Sequence, residues 1–196
     1  MPGPQVEIIS ANKDEAAKTV ATIVAAFITD PICRYAWPAA GTYLNLMPSV
    51  TEALGGASFE LGTCFVSADF RGAALWLPPG VRPDNESLAG MMADTVSPDN
   101  QEDLFQTFEQ MAHAHPAEAH WYLPTIGVDP AAQGEGIGGA LMRHATERFD
   151  AEQALSYLES SNPRNISLYL RHGFEVMGEI QVGSAPLVTP MLRQPR

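Results

Sequence analysis

The chain is poor in cysteine and poor in cations. Its 196 residues hold two cysteines, Cys33 and Cys64, far apart in sequence. Two thiols at that spacing make neither a zinc pattern nor a disulfide framework, and they read as small buried side chains. Lysine and arginine together number 11 against 23 acids, a formal net charge of −12. General nucleic-acid binding needs a basic surface, so that class is excluded. The acidity is compatible with a cationic substrate but needs no such partner to explain it. Long apolar runs are also missing. The longest, near Val20 to Ile28, is too short to span a membrane. Met1-Pro2-Gly3-Pro4 shows no basic region followed by an apolar run, so no signal peptide is expected and the expected setting is the cytoplasm. Repeats, low-complexity stretches and long linkers are absent. With 45% apolar residues the chain reads as one globular domain, 1–196, with a sizeable core.

What is present is a dense set of signals in the last third. His120 to Val128 is an apolar run that predicts a buried strand. Gln133-Gly134-Glu135-Gly136-Ile137-Gly138-Gly139 follows it and opens a predicted helix over 136–151. Glycines at such a turn let a ligand approach the backbone, because no Cβ intervenes. The first helical turn adds unpaired N–H groups and the positive end of the helix dipole. Together these predict an anion site, most simply for phosphate.

Upstream, Gln5 to Ile9 alternates as a strand. Asp14 to Phe27 has helical spacing and is stopped by Asp30-Pro31. Tyr43 to Leu54 is a second helix, ended by Gly55-Gly56. Cys64 to Ala68 and Ala73 to Leu77 flank a turn and predict a hairpin. Helices are expected over 86–93 and 100–115. Downstream come a short strand, Leu155 to Glu159, and a short helix, Arg164 to His172, with Gly173 as its C-cap. Two more strands are expected, Glu175 to Val182 and Leu187 to Arg193. The fold class is α/β (α+β), with mixed strand directions.

Two phosphate readings compete. Gly134, Gly136 and Gly139 spell G-x-G-x-x-G, and Glu159 lies 20 residues after Gly139, the outline of a dinucleotide-binding unit. Against it, Asp129 to Gln133 separate the strand from the first glycine, and no run of parallel βα repeats follows. Nor does a dinucleotide unit account for Asn162-Pro163-Arg164-Asn165, Tyr169 and Gly173-Phe174.

Residues 133–138 resemble the Q/R-x-x-G-x-G/A loop of the GNAT acyl-CoA N-acyltransferases. Asn162, Tyr169 and Gly173-Phe174 are similar to that superfamily's downstream Asn…Tyr…Gly-Phe element. Trp121 to Val128 and Leu158 to Asn165 further resemble the subgroup that includes puromycin N-acetyltransferase. The resemblance implies a mixed, mostly antiparallel sheet flanked by helices and splayed at the acyl-CoA site, with 120–175 as the cofactor core and the N-terminal half on the acceptor side. It implies acetyl-CoA as acyl donor, with its pyrophosphate on Gln133, Gly134, Glu135, Gly136, Ile137, Gly138 and Gly139. Glu135 departs from the pattern in charge, so its side chain is expected to point away. The resemblance also implies that the pantetheine arm pairs with backbone at Ile126, Gly127 and Val128, and that an N–H near Ile126 polarises the thioester.

The implied enzyme is an N-acetyltransferase working by direct amine attack in a ternary complex, with no metal. Tyr169 is the candidate acid by family position, although Ile166, Tyr169 and Leu170 also form a plausible packing stripe. Asn162 is assigned to the cofactor, and Asn165 is left open between cofactor and helix cap. Glu159 is the candidate base, ahead of His120, with a water chain also open. His113 and His115, at a helix end, are expected to serve the helix dipole. Phe27, Asp30, Tyr35, Trp37 and Tyr43 are candidate acceptor contacts, with Phe27 and Trp37 read as core. The partners are acetyl-CoA and a small amine, antibiotic-like or metabolic. The chain is expected to be a monomer or homodimer. A non-catalytic acyl-CoA sensor is the alternative.

Overall fold

The computed structural model describes residues 6–196. The expectations for Met1 to Pro4, and for Gln5 at the head of the first strand, lie outside the described residues. In chain order the elements are β1 (Ile8–Ser10), α1 (Ala16–Ala26), α2 (Pro31–Ala36), α3 (Ala40–Gly55), α4 (Ala57–Leu61), β2 (Cys64–Ser67) and β3 (Gly72–Leu77). Then follow α5 (Asn85–Thr95), α6 (Pro98–Ala114), β4 (His120–Val128), α7 (Ile137–Ala151), β5 (Leu155–Ser160), α8 (Ile166–Arg171), β6 (Glu175–Val176) and β7 (Thr189–Arg193).

The strands form one sheet in the order β1-β2-β3-β4-β5-β7-β6. Every pairing is antiparallel except β4 with β5. A doubly wound dinucleotide fold needs a run of parallel strands, so that reading fails here. Period-2 alternation sorts β3 between two layers. Ala74 and Trp76 join Ile137, Leu141, Ala145 and Phe149 of α7 on one face. Ala73 and Leu75 meet Val20 and Ile23 of α1 on the other. A strand covered on both faces reads as a continuous apolar run, as this one does.

Local chemistry explains the helix starts. Asn12 and Glu15 form a capping box ahead of α1, and Asn12 Oδ1 accepts from Asp14 N at 2.8 Å. Asp30-Pro31 was expected only as a stop. It also starts α2, with Asp30 accepting from Cys33 N at 3.1 Å and Pro31 in the first turn. The two expected C-terminal strands shrink. β6 keeps two residues, and beyond it Ile180 makes a single bridge to Val188.

The feature that positions the site lies in β4. Its pairing with β5 runs from His120↔Leu155 to Leu123↔Leu158 and stops. The next residue is Pro124, which has no N–H to donate. The β3–β4 register shifts at the same level, between Leu75 and Leu77. Proline is tolerated inside sheets at such irregularities. Beyond it, Thr125 to Val128 stay paired with β3, while β5 continues on β7 as far as Ser160↔Thr189. The two central strands therefore part company.

Gly127 sits in this open stretch where α1 crosses β4. A Cβ there would stand 2.5 Å from Ala26 Cβ on α1. Glycine is what lets α1 lie flat on β4. Gly127→Ala is expected to destabilise the fold by about 1–3 kcal/mol through overpacking. Chemical denaturation measures this, and an unchanged midpoint would contradict the tight seat of α1.

Candidate active site

The gap between β4 and β5 opens into a cleft of about 280 Å³. It gathers most of the residues singled out in the sequence. Ile126, Gly127 and Val128 form one wall, Gln133 and Gly138 the next, and Asn162, Asn165 and Tyr169 the third. Gly134 and Gly136 both adopt φ +86°, and a Cβ on either would meet nothing within 4 Å. Their need for glycine is conformational, and the space beside them is open. Gly136 is the N-cap of α7 and has no side chain to cap it. The first-turn N–H groups of α7 therefore have no partner within the helix. Ile137 is buried and anchors that turn in the core, while Gly138 and Gly139 leave it thin.

Glu135 does not face the loop unopposed. Arg71 Nη1 donates to its Oε2 at 2.7 Å, and the same guanidinium holds Asp69. The acid at this loop is thus neutralised from β3's leading turn. Gln133 departs from expectation more. Its amide reaches back to Val128 O at 3.4 Å, a long contact that spends one of its two N–H donors.

Asn162 serves two ends. Its Oδ1 accepts from Arg164 N at 3.1 Å, capping the turn that leads into α8, while the residue lines the cleft. Asn165 is exposed on the cleft rim. Tyr169 is buried, stands edge-on to Phe174, and lines the cleft. Burial, with Asp30 nearby, pushes its hydroxyl well above the ordinary tyrosine value. The proton therefore stays on Oη, as an acid requires. Asp30, predicted as an acceptor contact, is a buried brace: its Oδ2 takes the Ser161 hydroxyl at 2.5 Å and ties α2 to the end of β5. Phe27, read as core, packs against the core and also lines the cleft; Trp37 is core as read, and Tyr43, offered as an acceptor contact, is buried in the core instead.

Glu159 does not line this cleft. It lies on the opposite side of the parting, with its side chain 2% exposed and Oε1 3.3 Å from His115 Nε2. A small cavity of about 30 Å³ between the two sides is lined by Ile126 and Tyr169, which also line the cleft, and by Glu159. His113 is exposed in the last turn of α6, as a dipole partner would be. His115 is a correction. It caps α6 at the expected helix end, but its ring packs on His120, Tyr122, Tyr157 and Glu159. No sequence spacing links residue 115 to residue 159.

Comparison with known proteins gives three findings. The acetyltransferase (GNAT) family model matches residues 67–174. Over 195 residues the chain is 27% identical to an uncharacterized N-acetyltransferase of Schizosaccharomyces pombe, covering 91% of this chain and 79% of that protein. Two solved structures share the fold. The histone acetyltransferase HPA2 and related acetyltransferase of Corynebacterium glutamicum has a TM-score of 0.68 at 24% identity, over 98% of this chain and 97% of that one. Arylalkylamine N-acetyltransferase 2 of Aedes aegypti has a TM-score of 0.67 at 10% identity, over 97% and 99%.

The His120 imidazole is held below its ordinary 6.5, first by burial and also by the neighbouring His115. As pH falls, the unfolded chain takes up this proton before the folded one does. Stability is therefore unaffected by His120 above about pH 6.5 and declines as pH falls below it. His120→Gln should make that decline shallower in urea titrations repeated across pH. His172, lowered by burial in the same direction, keeps its own share. An identical slope in the variant would contradict the assignment.

Proposed function

The chain belongs to the acetyltransferase (GNAT) family, and we propose that it moves an acetyl group from acetyl-CoA to the primary amine of a small molecule, by direct attack in a ternary complex. The observation that carries this reading is the parting of β4 from β5 at Pro124, directly beside the glycine loop and Tyr169. The residues present fit acetyl-CoA. The left-handed glycines and the bare first turn of α7 suit phosphate oxygens. The open edge of β4 at Ile126 and Val128 suits an extended, amide-containing arm, which can pair as an added strand.

Bound acetyl-CoA would supply the activated acyl group. The chain's own groups do the rest. Backbone N–H groups near Ile126 polarise a carbonyl presented to them. Tyr169 keeps its proton at Oη for the departing sulfur. Glu135, paired with Arg71, adds no uncompensated negative charge beside the phosphates. We place the activity in the cytoplasm, with acetyl-CoA and a small amine as the partners, and in a monomer or homodimer. The acidic surface argues against a nucleic-acid partner. An antibiotic-like acceptor, as the puromycin-type subgroup would use, rests on the sequence likeness of 121–128 and 158–165 alone.

The test is thiol release from acetyl-CoA with a panel of primary amines. Turnover with any of them separates an enzyme from an acyl-CoA sensor, and its absence with all of them favours the sensor. Tyr169→Phe should lower kcat by about 10²-fold, the size of a lost general acid. The KM for acetyl-CoA should stay within about threefold, because the phenyl ring still packs. An unchanged kcat would remove Tyr169 from this role.

A further inference from the structure

The loop after β4 has little of its own to hold it in place. Its backbone turns through Gly134 and Gly136, both left-handed, and glycine loses more conformational freedom on ordering than any other residue. The tethers from residues 133–135 to their chain neighbours are long: Glu135 N to Ala132 O at 3.4 Å, and Gln133 Nε2 to Val128 O at 3.4 Å. Two shorter links come from another element, and both come from Arg71. Its backbone carbonyl accepts from Asp129 N at 2.8 Å, where β4 ends. Its Nη1 donates to Glu135 Oε2 at 2.7 Å. Arg71 therefore grips the segment 129–135 at both ends.

The turn that presents Arg71 is itself fixed. Phe70 has φ +58°, a left-handed conformation in which a bulky side chain is an outlier. It stays there because the turn is tied down on every side. Phe70 N donates to Ser67 O at 2.7 Å, and Phe70 O accepts from Thr22 Oγ1 of α1 at 2.6 Å. Lys18 Nζ, also on α1, lies 5.3 Å from the centre of the Phe70 ring. The Ser67 hydroxyl donates to Asp69 Oδ1 at 2.7 Å and accepts from Gly72 N at 3.0 Å. Asp69 Oδ2 then accepts from Arg71 Nε. Backbone strain persists only where the surroundings impose it. What this turn delivers is a guanidinium, held by one carboxylate and aimed at another in the glycine loop.

Magnitudes decide what that guanidinium is for. The start of α7 offers roughly half a positive charge to an anion. A bare carboxylate at Glu135, between the two left-handed glycines, would outweigh it. Arg71 is the one cation in contact with Glu135 among the described residues. The two side chains are 45% and 49% exposed, and a pair so exposed adds little to folding. Its weight therefore falls on a ligand. We propose that Arg71 sets the affinity of the loop for the phosphates of its cofactor, by cancelling the Glu135 charge in place. The proposal rests on the acetyl-transfer reading and adds to it a positioning residue from a different strand. Arg71 acts through Glu135 and touches no reacting atom. Without it, the backbone N–H groups of the loop must hold a polyanion beside an uncompensated acid.

The experiment is calorimetric titration of the full chain with CoA, at about 20 mM and about 500 mM salt, where screening is weak and strong respectively. Arg71→Gln should weaken binding by about tenfold at low salt, the size of one unit charge near a diphosphate. The loss should shrink to about threefold or less at high salt, because screening removes a charge effect and leaves a shape effect untouched. Glu135→Gln keeps an acceptor for Arg71 and loses the charge, so it should bind CoA at least as tightly as the parent at low salt. The double variant should return to within about threefold of the parent. A loss that persists at high salt or in the double variant overturns the proposal, since Arg71 would then be holding the shape of the loop. So does an Arg71→Gln variant that binds like the parent, or a Glu135→Gln variant that binds more weakly. The Glu135→Gln arm leaves the 67–72 turn intact and decides the matter even if Arg71→Gln does not fold. Failure of the underlying acetyl-transfer reading looks different, because the parent itself would then bind no CoA.

Discussion

A central strand cannot contain a proline and keep both of its ladders. Pro124 sits in the middle of β4, and both neighbours respond to it: β3 shifts register and β5 stops pairing. The sheet tolerates this because β5 is held by β7 through Ser160, and β4 by β3 through Val128. The cost is local, and its product is an opening through the centre of the sheet. The candidate site residues are arranged around that opening. Gln133, Gly138 and Tyr169 line one side, Glu159 and the histidines line the other, and a small cavity lined by Ile126 lies between them.

An acidic chain that receives a polyanion meets an electrostatic problem, and this one handles it without a basic patch. In the proposed reading the attraction comes from backbone N–H groups at the start of α7, which act at short range and are fixed by the fold. The acid nearest to them, Glu135, is held by Arg71, which also holds Asp69 on the opposite edge of the same turn. On the other face the problem is reversed. There the buried Glu159 carboxylate lies 3.3 Å from the His115 ring. The same histidine is linked through His120 to the Glu118 backbone carbonyl.

Much of this was legible in the chain of letters because it is local. The alternation in β3, the glycines of 134–139, the periodicity of α7 and the spacing from Asn162 to Phe174 all report neighbours within a few turns. Asp30-Pro31 was misread as only an end because the same pair that breaks one helix caps the next. β6 was overextended because Glu175 to Val182 has strand-like letters but an exposed face with little to pair against. The need for glycine at 127 was not visible, because its closest constraint is Ala26, about a hundred residues earlier in the chain. His115 was out of reach for the same reason. Its role depends on where β5 places Glu159, and pairings of that kind are set by the whole sheet.

The account stands on the parted strands being a cleft for an acyl-CoA. The most direct measurement is thermal unfolding with and without acetyl-CoA, using NAD as the control. A ligand that binds only the folded state raises the midpoint. The account predicts a rise that grows with acetyl-CoA concentration and none with NAD. A rise with NAD alone, or no rise with acetyl-CoA at any concentration, would contradict it.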